Sequence, residues 1–145
     1  MAVMTTAGST FGISAVLPGT YNAAGFNALT FTSVGEVTDM GEVGAEYSLV
    51  NHQPISARRV QKLKGSYDAG SITLQFGRDY TDAGQIALQT ASSSDNPVAV
   101  RITLQNGKKL YFTALVTSFK TSMGGVDQVT AASALCELVG DVLEV

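Results

Sequence analysis

The sequence is poor in the residues from which most metal and disulfide sites are built. Its 145 residues include no tryptophan, a single histidine (His52) and a single cysteine (Cys136). One histidine and one cysteine cannot make a structural zinc site, and a lone cysteine excludes an intrachain disulfide. Cys136 lies in the apolar run Ala134-Leu135-Cys136, so we expect it to be a small buried core residue.

Catalytic signatures are lacking as well. A Ser-His-Asp or Cys-His site would have to use His52, which lies beside Pro54 in a segment where nothing is predicted to hold an imidazole rigid. Neither a Gly-x-Ser-x-Gly elbow nor a phosphate loop ending in Gly-Lys-Ser/Thr occurs. An enzyme is therefore the least favoured function, and we expect no catalytic residue, no cofactor and no metal.

Charged residues are also scarce. They make up 14% of the chain, against about a quarter in ordinary globular proteins, although monomers rely on surface charge for solubility. Either uncharged polar residues solvate this surface, or further subunits cover much of it. The net charge of −3 also disfavours a protein that grips DNA, because tight binding requires clustered cations.

Long apolar runs are missing too. No stretch of about eighteen apolar residues exists, so no membrane-spanning helix or membrane anchor is predicted. Residues 1–12 lack the basic start and apolar stretch of a signal peptide. We expect the protein to stay in the cytoplasm where it is made, unless it leaves as part of a larger particle.

What the sequence does contain is a series of β-strand patterns. Polar and apolar residues alternate at 71–76 and 98–104, and Asn106-Gly107 favours a hairpin turn. The return strand, 110–121, has apolar residues on both faces, with Tyr111, Leu115 and Phe119 on one of them. Both faces should therefore be covered, one by the core and the other by a helix or a neighbouring subunit.

The remaining segments complete a mainly β pattern. One helix is predicted at 80–91, capped by Asp79. Further strands are predicted at 11–17, 29–40 and 47–50, and residues 22–27 are predicted to form a loop. The pattern at 126–139 fits a strand or a helix, and Val129 and Thr130 favour a strand. Hairpin links without βαβ alternation indicate an antiparallel β-sandwich or partial barrel with one flanking α-helix.

The domain plan is a single domain, 1–145, with two unusual segments. Residues 1–10 are small and polar and are expected to form a flexible arm. Residues 51–69 have few large apolar side chains and no clear period, which predicts a long loop between strands. Loops of this length are usually functional or disordered.

Four acids precede this loop with no lysine or arginine among them: Glu36, Asp39, Glu42 and Glu46. A solvated acidic surface is the simplest interpretation, and a metal site or an acid/base pair is the alternative. In an unbroken strand Glu36 and Asp39 point to opposite faces, so they could converge only across a bulge.

Four bases then lie within the loop with no acid between them: Arg58, Arg59, Lys62 and Lys64. Such a quartet is usually a solvated face or a nucleic-acid patch. Together with the acidic block, it also allows the basic loop of one subunit to meet Glu42 and Glu46 of the next. This head-to-tail contact would close into a ring or propagate as a filament. Folding back onto the chain's own acidic strand is an equal alternative.

Two segments carry a family resemblance. Pro18-Gly19-Thr20-Tyr21-Asn22-Ala23-Ala24-Gly25-Phe26-Asn27-Ala28-Leu29, followed by Val34-Gly35-Glu36-Val37-Thr38-Asp39-Met40-Gly41-Glu42, resembles the major tail tube proteins of long, non-contractile (siphovirus-type) bacteriophage tails. The later order of elements, a long loop, a strand, a short helix and a hairpin, is similar too.

The resemblance implies a structural role in the virion tail. Such proteins are β-sandwiches or partial barrels that join edge to edge into hexameric rings around a channel. The rings are assembled in the host cytoplasm and stack into a tube, and a long loop, here 51–65, reaches the adjacent ring, while residues 1–10 form a contact arm. The implied partners are a tape-measure protein, a tail terminator and distal tail proteins, and DNA passes through without specific binding.

The resemblance leaves the channel lining open. Thr73 and Gln75 are candidates, as is Glu36, because the family's channel is typically acidic. The Arg101–Thr103 face is a further candidate, although Arg101 would be an odd lining. The ring-forming inner tube of a contractile tail or secretion-type machine is an alternative function. A ligand-binding β-sandwich is less favoured, since the chain has no tryptophan and only five tyrosines for stacking.

Overall fold

The structure, a computed structural model, describes residues 3–145 of the chain. Ten strands and two helices lie in this range. Their bounds are β1 Thr10–Ser14, α1 Ala23–Asn27, β2 Thr32–Val34, β3 Val37–Asp39, β4 Glu46–His52, β5 Gln61–Asp68, β6 Ser71–Gly77, α2 Ala83–Ser92, β7 Val98–Thr103, β8 Lys109–Ser122, β9 Ala131–Leu138 and β10 Leu143–Glu144.

Eight strands form one antiparallel sheet in the order β2-β1-β7-β8-β9-β6-β3, with β10 paired to β8. The long β8 joins the two halves, because Ala114 pairs with Val98 of β7 on one side and with Leu138 of β9 on the other. The two end strands, β2 and β3, are separated in the chain only by Gly35-Glu36. The sheet therefore curls until its ends meet, which confirms the predicted mainly β partial barrel with one flanking helix.

The core fills the inside of this curved sheet. Buried and exposed residues alternate along β6, so Ile72, Leu74 and Phe76 point inward, as the sequence predicts. Helix α2 contributes Leu88 to the same core. It begins later than predicted because Asp82, not Asp79, is its N-cap, with the side chain accepting a hydrogen bond from the Gln85 amide at 3.0 Å.

No helix within residues 3–145 has the length and apolar character required to cross a membrane.

The outer face of β7 and β8 is covered by the chain itself. Residues 22–27, predicted as a loop, instead form α1, which is capped by Asn22 through a 2.8 Å hydrogen bond from the Gly25 amide. Phe26 of this helix is fully buried and stacks on Tyr111 with ring centroids 5.1 Å apart. The prediction that both faces of this part of β8 are covered is confirmed.

Two strand predictions differ from the structure because of backbone irregularities. The predicted strand 29–40 is split into β2 and β3 by a corner at Glu36, which has a φ of 60°. The register of β8 shifts at Thr117, and this bulge turns Phe119 inward onto Phe76 (ring centroids 5.7 Å apart) and not toward the Tyr111 face.

The segment 51–69 is not the structureless loop that was predicted. Most of it belongs to a β4-β5 hairpin, a separate two-stranded sheet with a turn at 53–60. The pattern was missed because both hairpin faces are exposed, so no polar-apolar alternation marks the strands. Residues 3–9 of the predicted arm precede β1 without forming a strand, and residues 1 and 2 lie outside the described range.

Candidate assembly interface

A polar face covers the outside of β6, β9 and the second half of β8. Its side chains alternate with those that fill the core, and they are mostly uncharged. They are Ser118 and Lys120 on β8, Ser133, Leu135 and Glu137 on β9, and Ser71, Thr73 and Gln75 on β6. We call this set the polar face.

Glu36 reaches the same face as Thr73 and Gln75. Residues 73, 75 and 77 lie on the same side of β6, because every second residue of a strand points to the same face. A Cβ built on Gly77 would lie 3.6 Å from the Glu36 Cβ. The Gly77 amide also donates to the Glu36 carbonyl at 2.8 Å. The three residues predicted as candidates for a channel lining are therefore brought together.

Asp39 joins them through a bulge in β3. The register shifts between Val37 and Asp39, so that both Thr38 and Asp39 lie opposite Gln75. The Thr38 hydroxyl donates to the Gln75 carbonyl at 3.2 Å. Glu36 and Asp39 thus lie on the same face of the sheet, which the sequence allowed only across a bulge. Within residues 3–145, no group of three potential ligands is arranged to hold a metal ion.

Helix α2 holds the corner that carries Glu36. The fully buried Gln85 amide donates to the carbonyls of Gly35 (3.1 Å) and Gly77 (2.8 Å). Its oxygen accepts from the Asp79 amide at 2.9 Å and from Arg78 at 3.1 Å. These bonds join the corner to the end of β6, which explains how a non-glycine residue keeps a left-handed backbone there.

The helix can approach so closely because residue 84 is glycine. A Cβ on Gly84 would lie 2.2 Å from the Ser33 carbonyl oxygen, which is far inside van der Waals contact. The side chain of Asp82 also reaches the corner and accepts from the Gly35 amide at 3.0 Å.

Arg101 and Thr103 do not belong to the polar face. The Arg101 guanidinium lies 4.8 Å from the centre of the Phe31 ring. Phe31 also lies over β1, since a Cβ on Gly12 would come within 3.0 Å of the Phe31 Cβ. The Arg101 side chain is therefore covered by the chain segment before β2, which removes the cation that had seemed out of place in an acidic lining.

The four predicted basic residues are exposed on the β4-β5 hairpin. Arg58 and Arg59 lie in its turn, and Lys64 in β5 places its ammonium 4.7 Å from the centre of the Tyr47 ring. Glu46 lies at the other end of the hairpin, roughly 20 Å away along β4 at about 3.3 Å per residue. The two arginines cannot fold back onto Glu46 within this rigid ladder, which disfavours the intramolecular alternative for that pair.

An acidic concavity of about 650 Å³ lies at the base of the hairpin. No lysine or arginine lines it, and its acids are Glu42, Glu46, Asp68 and Glu137. Glu46 and Asp68 are direct cross-strand partners, an arrangement that repels unless a cation lies nearby. Sequence analysis missed Asp68 and Glu137, because strand register alone brings them beside the predicted pair.

A tyrosine hydrogen bond connects the base of the hairpin to the C-terminal segment. The Tyr67 hydroxyl donates to the Asp141 carboxylate, with oxygen-oxygen distances of 3.1 and 3.3 Å. This hydrogen bond and the negative charge of Asp141 raise the pKa of the exposed Tyr67 above its ordinary value. Asp141 is itself positioned, since its carbonyl accepts from the Tyr21 hydroxyl at 2.5 Å.

The single histidine and the single cysteine lie in different surroundings. His52 is exposed at the end of β4, whereas Cys136 is fully buried in the core. Burial raises the pKa of the Cys136 thiol to about 12, which keeps it protonated and unreactive at neutral pH.

Several solved structures share this fold. The chain matches a protein of the anti-feeding prophage baseplate (TM-score 0.70, 13% identity, 94% of this chain and 91% of the other). It matches the SPP1 tail tube with a TM-score of 0.64 and 15% identity, over 94% of this chain and 75% of the other. It matches the sheath/tube terminator of the PVC extracellular contractile injection system with a TM-score of 0.64 and 12% identity, over 93% of this chain and 92% of the other. At these identities the likeness establishes the fold, and no curated protein matches the sequence.

The sequence itself identifies the family. A family model described as phage tail tube protein (TTP) matches residues 3–144, almost the whole chain. The proteins of this family are structural components of the virion tail. The chain belongs to the phage tail tube protein family.

Proposed function

We propose that six copies of this chain form a ring, and that rings stack into the tube of a long, non-contractile tail. The observation that carries the proposal is a polar face whose neighbouring strands leave free hydrogen-bonding edges. Within residues 3–145, no strand pairs with β8 residues 115–122 on the side away from β9, and β3 ends the sheet beyond β6. Free edges of this kind pair with other chains unless they are blocked.

The polar face would line the channel. Glu36, Thr73 and Gln75 present acceptors and neutral polar groups, and acidic groups repel DNA phosphates. DNA could then slide through without being held. A tape-measure protein would occupy the same channel before ejection, and terminator and distal tail proteins would close the ends of the tube. The protein would act by enclosing this passage and would not be an enzyme.

The hairpin and the arm would make the contacts between rings. Arg58, Arg59, Lys62 and Lys64 of one ring would meet the Glu42 and Glu46 side of the next, and residues 1–10 would add a second contact. Surface ion pairs contribute about 0–1 kcal/mol each. Their effect would be on steering and register more than on total stability.

Negative-stain electron microscopy of the purified chain at high concentration tests the proposal. We expect rings or tubes with a central hole. A protein that remains monomeric over a wide range of salt and concentration would refute it.

A second candidate is the inner tube of a contractile tail or injection machine. It is supported by the likeness to the anti-feeding prophage and PVC structures, which is at least as close as that to the SPP1 tube. Electron microscopy of the particle distinguishes the two candidates, because a contractile machine has a sheath around the tube and a non-contractile tail does not.

A further inference from the structure

A row of four paired residues crosses the polar face from one end to the other. Lys120 of β8 pairs with Ser133 of β9, Ser133 with Gln75 of β6, and Gln75 with Asp39 of β3. The row therefore begins with a cation and ends with an anion, and its two middle members are uncharged. Both charged side chains are exposed.

The two charges cannot meet within one copy. Three steps between neighbouring strands separate them, or about 14 Å at about 4.8 Å per step. Asp39 is also held in place, because its carboxylate accepts from the Gly41 amide at 2.8 Å. Each charge is therefore left at its own end of the row without the other.

Both ends of the row lie at accessible strand edges. The side of β8 beyond Lys120 has no strand partner within residues 3–145. On the other side, a cleft of about 380 Å³ separates residues 6–9 from residues 37–41. No residue of β6 lines this cleft, and within residues 3–145 β3 ends the sheet with β6 as its only strand partner.

The strand directions also allow the row to continue into a second copy. The pairs β8-β9, β9-β6 and β6-β3 are all antiparallel, so β3 runs opposite to β8. Placing the β8 edge of another copy against β3 would keep the alternation unbroken. Each copy would contribute four strands, β8, β9, β6 and β3. A closed antiparallel barrel of identical copies requires an even number of strands per copy, and four meets this requirement.

We propose that the β8 edge of one copy pairs with the β3 edge of the next, in the register that places Lys120 opposite Asp39 of its neighbour. The proposal rests on the ring proposed above and names its seam. The other residues of β3 offer Lys120 no anion, because Thr38 is neutral and Val37 is apolar and packs against the core. The charge pair thus selects one register from several that the backbone alone would accept.

Disulfide trapping tests the seam directly. In the double variant Asp39→Cys/Lys120→Cys, the two cysteines of one copy are too far apart to bridge, since a disulfide requires Cα atoms within about 7 Å. The native Cys136 is fully buried and will not interfere. Under mild oxidation of assembled tubes we expect a ladder of covalent oligomers that ends at six, whereas either single variant gives none.

Charge reversal supplies a second measurement. At low salt, Lys120→Asp and Asp39→Lys should each raise the protein concentration needed for tube growth by up to about fivefold, and the double reversal should restore growth. Lys108→Asp, in the exposed β7-β8 turn, is the matched control and should have little effect. The rescue by the double reversal excludes a folding defect in the single variants.

The outcomes separate the two proposals. If the double-cysteine variant forms tubes without the ladder, or if Lys120→Asp behaves like Lys108→Asp, the seam is wrong and the tube function stands. If the unmodified chain never forms rings or tubes, both proposals fail.

Discussion

Replacement of Gln85 should lower the free energy of unfolding by several kcal/mol. It is fully buried, and its amide makes four hydrogen bonds that join α2, the Gly35-Glu36 corner and the end of β6. In Gln85→Ala, the carbonyls of Gly35 and Gly77 lose their side-chain donor, and the Asp79 amide loses its acceptor. A small cavity is also left beneath the helix.

The expected loss can be worked out from these bonds. A buried backbone group left without a partner costs about 1–3 kcal/mol. Gly35, Gly77 and Asp79 are half-buried, so the lower limit applies. The three groups together cost about 3 kcal/mol, and the cavity adds to this. We therefore expect the free energy of unfolding to fall by about 3–5 kcal/mol, a large part of the 5–15 kcal/mol typical of a domain.

Urea denaturation of the monomer, followed by circular dichroism, measures this loss. The matched control is Gln89→Ala on the same helix, whose side chain is exposed and accepts one bond from Arg78 at 3.2 Å. That change should cost less than about 1 kcal/mol. A loss below about 1 kcal/mol for Gln85→Ala would refute the reasoning, because it would mean that the corner is held by other contacts.

Three further predictions concern the hairpin and the core. Reversal of Arg58 and Arg59 to Glu should impair tube formation and leave the monomer folded, as judged by electron microscopy and circular dichroism; normal tubes would refute the charge matching. Tyr67→Phe removes only the hydroxyl that donates to Asp141, so hydrogen exchange should become faster in β4 and β5 and stay unchanged in β6. Because the pKa of Cys136 is raised from 9.0 to about 12, its contribution to stability is present below pH 9 and is lost as pH rises toward 12. Stability should fall by about 1.4 kcal/mol per pH unit in this window, with a smaller slope in Cys136→Ala; equal slopes would contradict the assignment.

The parts of the fold that could be predicted are those whose partners lie close in sequence or repeat with a simple period. The alternation at 71–76 and 98–104 identifies β6 and β7, and Asn106-Gly107 identifies the hairpin between β7 and β8. These signals are local, so the sequence alone is sufficient. Helix α2 was found for the same reason, with errors in which aspartate caps it and therefore in where it begins.

The parts that could not be predicted depend on contacts between distant residues. Nothing in the local pattern shows that Gln85 would hold residues 35 and 77, or that the chain would turn at Glu36. Asp68 and Glu137 escaped notice because only strand register places them beside Glu46. Lys120 and Asp39 are related in the same way, through two strands that lie between them.

The β4-β5 hairpin was missed because its two exposed faces give no polar-apolar alternation, and this exposure bears on its function. Leu49, Ile55 and Leu63 are 61%, 107% and 55% exposed. A two-stranded hairpin alone is marginally stable in water, and this one has no further strand beside it within residues 3–145. The segment lacks a core-facing pattern because the chain itself offers it no core. Under the proposed stacking of rings, its apolar side chains would be covered when another copy lies against them. The exposed pattern that hid the strands from sequence analysis is then the one expected of an element that becomes fully packed in the assembled tube.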